Sequence, residues 1–371
     1  MSKIILVLSN HDLYTYNLRK EILEALLKKG YKVVISVPHG PNVRKLEKLG
    51  CKVIDSPINR RSKGIRNNLN SLTHYFKLVK ELRPNLIISF TIKPNLYGGL
   101  ISRVFNIPFI PNITGLGSAL QTEGIIKKIL TVVYKVAFKK ANIVFFQNSE
   151  NAEYFVENNI VKDNYNLLPG SGINIQDFPY LNYPTMEKNI NVLYIGRIME
   201  DKGLIELISA AKIIREKYKD VFFHTIGYIE DDFIDLAKSL NEREIIKFHG
   251  LKSDVKGYIK DAHVIINPSY HEGMSNVLLE ASASGRPLLA SNIPGCKEIV
   301  SENVNGFLFK PKDINSMVEA IENFINISYQ SKLYMGIKAR EKVGNEFNRE
   351  IVVKEYLKET SRILEGNHEF V

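Results

Sequence analysis

The sequence predicts an α/β protein of two doubly wound domains, each built on a parallel sheet. Three observations predict it. Apolar runs of strand length alternate with helical patterns from one end to the other. Those runs are apolar at nearly every position, not at every second one. The alternation also breaks once, over residues 168–190, and then restarts. A strand apolar on both sides is buried on both sides, which is the condition of a parallel sheet covered by helices.

The first unit begins with IILVLS (4–9). A helical stretch, LYTYNLRKEILEALLKKG, follows with Leu18, Ile22, Leu26 and Leu27 on one stripe and Gly30 as its stop. YKVVISVP (31–38) completes a βαβ unit, and NLIISF (85–90), IPFIPNI (107–113) and NIVFFQ (142–147) add strands separated by helical segments. Between 168 and 190 proline, glycine, asparagine and aspartate accumulate and periodicity is lost, the mark of a linker. The pattern restarts with NVLYIG (191–196) and a helix through LIELISAAKIIREKY. VFFHTIG (221–227), IIKFHG (245–250), HVIINPS (263–269) and PLLASN (287–292) follow as strands, and two helices close the chain near 331–347 and 350–365. Domains of 1–172 and 173–349 result, facing each other across a cleft, and such sheets take ligands at the carboxyl ends of their strands.

Composition narrows the function classes. The chain has 371 residues, 44% hydrophobic and 24% charged, with only Cys51 and Cys296 as cysteines and no metal-ligand spacing. That excludes a disulfide-stapled secreted fold and fits the cytosol. The apolar run at 4–8 is too short for a signal peptide or a membrane span. A formal charge of +10 suits nucleic acid, an anionic lipid surface or a phosphorylated small molecule. No nucleic-acid module accompanies the basic runs, so a nucleic-acid partner is not expected.

Neither G-x-G-x-x-G nor a Walker A sequence is present, which argues against hydride transfer and P-loop chemistry. GRIMEDKG (196–203) instead places Arg197 and Lys202 between a strand and the next helix, where they can clamp a diphosphate. Solvated loop cations paired with Glu200 or Asp201 are the competing reading. In HEGMSNVLLEASASG (271–285) a helix capped by Ser275 or Asn276 offers amides from Met274 to Val277 to an anion. Glu272 lies just before that helix and Glu280 about one turn inside it. Each is either a first-turn acid or an acceptor of hydroxyl hydrogen bonds beside the anion.

With these motifs, NPSYHEG followed by LLEASASGRPLLAS resembles the retaining GT-B glycosyltransferases of family 4. TIKPNLYGG (91–99), NITGLGSALQ (112–121) and GSGINIQDF (170–178) resemble its bacterial branch, which builds capsule, O-antigen and N-glycan precursors on undecaprenyl diphosphate. The resemblance implies two Rossmann-like domains, the first for the acceptor and the second for a UDP-sugar, with a C-terminal helix (about 350–371) crossing back to the first. Arg197 and Lys202 would hold the donor diphosphate, Glu280 the ribose and Glu272 the transferred sugar, an N-acetylhexosamine by the same resemblance. Gly227 with Tyr228, and His249-Gly250-Leu251, would flank the nucleoside. Where many members carry a histidine, this chain has Thr114-Gly115-Leu116-Gly117, so no hydroxyl-binding histidine is assigned. The resemblance implies front-face transfer, and no second carboxylate is placed as the nucleophile that double displacement would need. The cations and the helix amides would stabilise the leaving diphosphate without a metal or other cofactor.

The acceptor side is assigned to Lys93, Asn95, Thr114, Gly115 and Gly117, although a buried turn explains Pro94 and Asn95 as well. TEGIIKKILTVVYKVAFKKAN (122–142), with five lysines, and INRRSKGIRNN (58–68) suit either an anionic bilayer or, for the first, packing on its own sheet. The expected protein is thus a cytoplasmic glycosyltransferase, peripheral on the membrane. A UDP-sugar 2-epimerase and a non-catalytic nucleotide-sugar-binding protein are the alternatives.

Overall fold

The computed structural model describes residues 2–58, 65–116, 124–185, 189–252 and 254–366. The chain divides into two compact units, Met1–Gly172 with Arg349–Val371, and Ile173–Asn348. 

In the first unit the elements run β1 (Ile4–Leu8), α1 (Asp12–Lys28), β2 (Lys32–Val37), α2 (Val43–Lys48), β3 (Lys52–Asp55), α3 (Ile65–Leu82), β4 (Leu86–Phe90), α4 (Ile92–Phe105), β5 (Phe109–Ile113), α5 (Ile125–Phe138), β6 (Val144–Phe146), α6 (Ser149–Glu157) and β7 (Tyr165–Leu167). Its sheet has the order β3-β2-β1-β4-β5-β6-β7, parallel throughout. The side-chain alternation of β1 explains the unbroken apolar runs. Leu6 and Leu8 enter one core and Ile5 and Val7 the other, so both faces of the strand are dry.

The second unit runs β8 (Ile190–Ile195), a 3-10 turn (Glu200–Lys202), α7 (Leu204–Lys217), β9 (Val221–Ile226), α8 (Ile234–Glu242), β10 (Lys247–Phe248), α9 (Lys256–Asp261), β11 (Val264–Asn267), α10 (Asn276–Ala283), β12 (Leu288–Ser291), β13 (Gly306–Phe309), α11 (Ile314–Asn326) and α12 (Tyr329–Glu346). Its sheet order is β10-β9-β8-β11-β12-β13, again parallel. The strand expected at 245–250 shortens to two residues, because β10 is an edge with a neighbour on one side only.

The last helix, α13 (Arg349–Glu365), returns to the first unit, where Val352 and Tyr356 share a core with Ile5, Ile35 and Phe145. The Tyr356 hydroxyl accepts from Asn112 Nδ2 at 2.8 Å. Arg349, 5% exposed, donates to the carbonyls of Ser171, Gly172 and Asn17 and pairs with Glu21 at 2.8 Å. A side chain at Gly172 (φ +64) would strike the Arg349 Cα at 2.5 Å, so this crossing requires glycine.

Candidate active site

In each sheet the chain winds outward on one side of its first strand and then resumes on the other. The second sheet reverses between β8 and β11, and the crevice at such a switch point is where doubly wound sheets bind ligands. Two loops border it, Gly196–Gly203 after β8 and Pro268–Ser275 after β11. These are the two segments singled out in the sequence.

Backbone contacts fix both loops. Gly196 N donates to Ile226 O at 2.9 Å, and the Tyr194 hydroxyl donates to Arg197 O at 2.7 Å. Burial, reinforced by Glu272, pushes the Tyr194 pKa up, so it stays a donor. Ile198 pairs with Ile229, which brings Glu230 Oε1 to 3.5 Å from Arg197 Nη1. Gly203, at φ +70, begins α7, and a Cβ there would lie 2.0 Å from Pro268 O. Only glycine lets the two loops approach this closely.

That approach sets Lys202 Nζ 2.6 Å from Glu272 Oε1, with about a fifth of each side chain exposed (22% and 19%). The Ser269 hydroxyl lies 2.9 Å from the same carboxylate oxygen and 2.7 Å from Asn267 Oδ1. Asn267 Nδ2 donates to Ser275 Oγ at 2.6 Å, and Ser275 caps α10 by accepting from Leu278 N. One polar chain therefore runs from the lysine to the helix cap. Tyr270, whose hydroxyl lies 2.9 and 2.8 Å from the two Glu206 oxygens and whose N–H donates to Asp201 O, braces the loops from the other side.

The cations do not pair as the competing reading had it. Their partners are Glu230 and Glu272, not Glu200 or Asp201. An ammonium carries three donors, so Lys202 can hold Glu272 and still present N–H groups to an anion. One donor-side expectation needs correction. The Ser275 N–H is already committed to Gly295 O at 2.9 Å, whereas Met274, whose side chain packs in the core with Leu278 and Ile293, would meet a ligand through its main chain, as expected of it. The Asn276 and Val277 amides in the first turn of α10 have no acceptor within the helix. Asn276, Val277 and Glu280 are also the residues of α10 that are not buried, so the Glu280 side chain lies on the same side of the helix as those of Asn276 and Val277, one turn from the amide end.

Gly227 serves the backbone. Its N–H donates to Gly250 O at 3.0 Å, and a Cβ would fall 1.6 Å from Gly196 O. Beyond it Tyr228 and Leu251 project, 45% and 73% exposed, from the carboxyl ends of β9 and β10.

On the first unit the corresponding reversal lies between β1 and β4. Lys93 stands in the first turn of α4 there, and burial lowers its pKa. Asn95 does not face a ligand. It is 1% exposed, its Oδ1 accepts from Ser89 Oγ at 2.6 Å and its Nδ2 donates to Asn112 O at 2.8 Å, tying α4 to β4 and β5. Thr114 and Gly115 follow β5, half-buried, and Gly117 lies outside the described residues, as does most of the basic segment 58–68. Sequence reasoning missed His11, which caps α1 at the end of β1, and Thr91, at φ 72 and ψ 164 before α4.

Cations and helix amides beside carboxylates, at a switch point, make a site for a substrate with a charged centre and hydroxylated flanks. Residues 182–342 match the family model for glycosyl transferases group 1, and residues 3–148 match that for glycosyl transferase 4-like domains. The chain belongs to these glycosyltransferases and has their GT-B fold. It is 26% identical, over 97% of its length and 98% of the relative's, to the N,N'-diacetylbacillosaminyl-diphospho-undecaprenol alpha-1,3-N-acetylgalactosaminyltransferase of Campylobacter jejuni. Identity is 24%, over 78% of each, with the UDP-Gal:alpha-D-GlcNAc-diphosphoundecaprenol alpha-1,3-galactosyltransferase of Escherichia coli. Among solved structures, Anabaena HepE in complex with UDP-glucose superposes with a TM-score of 0.77 at 17% identity, covering 96% of this chain and 99% of that one.

Proposed function

We propose that this glycosyltransferase moves an N-acetylhexosamine, with retention, from a UDP-sugar to a saccharide on undecaprenyl diphosphate, working peripherally at the inner face of the cell membrane during surface-polysaccharide or glycan-precursor synthesis. The observation that carries this reading is the Lys202–Glu272 pair beside the α10 N-terminus. The pair supplies a cation for phosphate and a carboxylate for sugar hydroxyls within one hydrogen bond of each other. The Campylobacter jejuni and Escherichia coli relatives, whose names specify acceptors on diphospho-undecaprenol, support the acceptor class.

In this mechanism the β-phosphate gains charge as the glycosidic bond breaks. Arg197, Lys202 and the Asn276 and Val277 amides stabilise that charge, without a metal. The leaving diphosphate then takes the proton of the acceptor hydroxyl on the same face. Glu280, one turn from the amide end of α10, accepts from the ribose hydroxyls, and Tyr228 and Leu251 flank the base. Transfer is tested by UDP release from a panel of UDP-sugars with polyprenyl-diphosphate acceptors. Glu280→Ala should raise the donor KM at least tenfold, and unchanged donor kinetics would sink the ribose assignment. A converted sugar in the absence of acceptor would identify an epimerase instead. Donor binding without turnover would identify a binding protein.

A further inference from the structure

We infer that the outward face of α5 is the docking surface through which the protein lies on an anionic lipid bilayer. This rests on the membrane-borne acceptor proposed above. Helix α5 is fixed from within. Thr131, Tyr134, Ala137 and Phe138 are buried, and Tyr134 packs edge-on against Phe138 and Phe155. Helix α4 closes so tightly on it that a side chain at Gly99 would strike Ala137 O at 2.6 Å, and Arg103 donates to Val136 O. The helix cannot turn to hide its other side.

That other side is apolar. Ile125, Ile126, Ile129, Val132 and Val136 are between 42% and 76% exposed. Four of them recur at i, i+4, i+7 and i+11, one continuous stripe along the helix. At 100° per residue, Lys128, Lys135 and Lys139, all exposed, fall alongside that stripe on one flank, while Lys140, past the helix end, donates to Asn106 Oδ1 at 3.2 Å. No aspartate or glutamate occurs between Gly124 and Ser149.

Charge selects the occupant. A second copy docked through the same face would set lysines against lysines, whereas an anionic headgroup layer meets Lys128, Lys135 and Lys139 while the isoleucines and valines enter the acyl boundary. Contact is in the plane of the surface. Fourteen residues of helix span roughly 21 Å, short of a bilayer core, and no helix among the described residues is long and apolar enough to cross one.

The test is co-sedimentation of the full chain with phosphatidylglycerol or phosphatidylcholine vesicles. Wild type should bind phosphatidylglycerol strongly and phosphatidylcholine weakly. Ile129→Glu with Val132→Glu should lower both partition coefficients more than tenfold. Lys128→Gln, Lys135→Gln and Lys139→Gln should each reduce phosphatidylglycerol binding about fivefold, as should added salt. These side chains are exposed, so the thermal midpoint should hold, as should turnover on a short-chain, water-soluble acceptor. The inference is overturned if wild type binds neither vesicle, or if Ile129→Glu with Val132→Glu binds as wild type does. It also falls if sedimentation velocity shows a dimer that those substitutions dissociate. Absence of transfer to any polyprenyl acceptor, with vesicle binding still lost in the variants, removes the proposed activity and leaves the docking face standing.

Discussion

Replacing Lys202 by methionine tests how a carboxylate is tolerated beside a bound diphosphate. Lys202 has two tasks in the proposed complex, to attract the phosphates and to neutralise Glu272 at 2.6 Å. A unit charge about 4 Å from a phosphate oxygen near a protein surface is worth roughly 4 kcal/mol, and partial exposure of the side chain reduces that toward about 2 kcal/mol. Lys202→Met should therefore weaken UDP binding between about thirtyfold and a thousandfold. Part of the loss comes from Glu272, now facing the phosphates without its partner. Adding Glu272→Gln to Lys202→Met should recover about tenfold in affinity, whereas Glu272→Gln alone should change it by less than about threefold. Isothermal titration of the four proteins with UDP closes a double-mutant cycle, and the expected coupling exceeds about 1 kcal/mol. Additivity within about 0.5 kcal/mol would refute the idea that Lys202 compensates Glu272.

Three further outcomes follow from the second unit. Gly203→Ala places a Cβ 2.0 Å from Pro268 O at a left-handed φ, and should cost about 3 kcal/mol or more together with most of the thermal stabilisation by UDP. Arg286, fully buried, reaches the carbonyls of Leu181, Asn182, Ile259, Lys260, Ser284 and Gly285, and burial lowers its pKa to about 10. Arg286→Lys keeps the charge but has too few donors for that set, so the midpoint should fall by roughly 6–12 °C on a loss of about 3 kcal/mol. His263, 8% exposed, has its pKa lowered to about 4 by burial first and by Lys332 next, while Nδ1 accepts from Asn191 N. Because the unfolded chain takes up the proton near pH 6.5 and the folded one only near 4, stability should hold above pH 7. The share due to His263 should then fall by roughly 3 kcal/mol between pH 6.5 and 4, and His224, lowered likewise to about 4 by burial, acts over the same range. Denaturant titrations of His263→Gln should show a shallower acid branch, and an unchanged branch would rule out His263 as its source.

The α/β architecture was legible because both faces of most strands are buried, which writes continuous apolar runs such as IILVL and LIISF into the chain. Short edge strands wrote a weaker signal. β7 (Tyr165–Leu167) has largely exposed side chains and left none, and β10, read from IIKFHG, pairs on one side through only two residues. At the site, the glutamates and cations could be named because they flank a strand end and a helix cap, features set by local sequence. Their pairing could not, since Lys202 and Glu272 are 70 residues apart and meet only where Gly203 lets α7 close on Pro268. Glu200 and Asp201 are nearer in sequence, yet the lysine turns to Glu272. Asn95 misled for a related reason. An amide beside a helix start looks the same in sequence whether it faces a ligand or ties two strands together.

Thr91 offers a test of whether the reversal point of the first sheet also works on a ligand. It joins β4 to α4 at φ 72 and ψ 164, a region that is essentially reserved for glycine and costs a β-branched residue about 1–3 kcal/mol. Its Oγ1 is buried with no hydrogen-bond partner, a further cost. A position optimised for stability alone would carry glycine. Thr91→Gly should therefore raise the unfolding free energy by about 1 kcal/mol or more, read from a denaturant titration. If the threonine is kept for a hydroxylated or phosphorylated acceptor, the same variant should lose transfer at least tenfold while its affinity for UDP is unchanged. A variant that is both more stable and fully active would show that the strain serves no ligand, and a less stable one would show that the backbone at Thr91 is not strained at all.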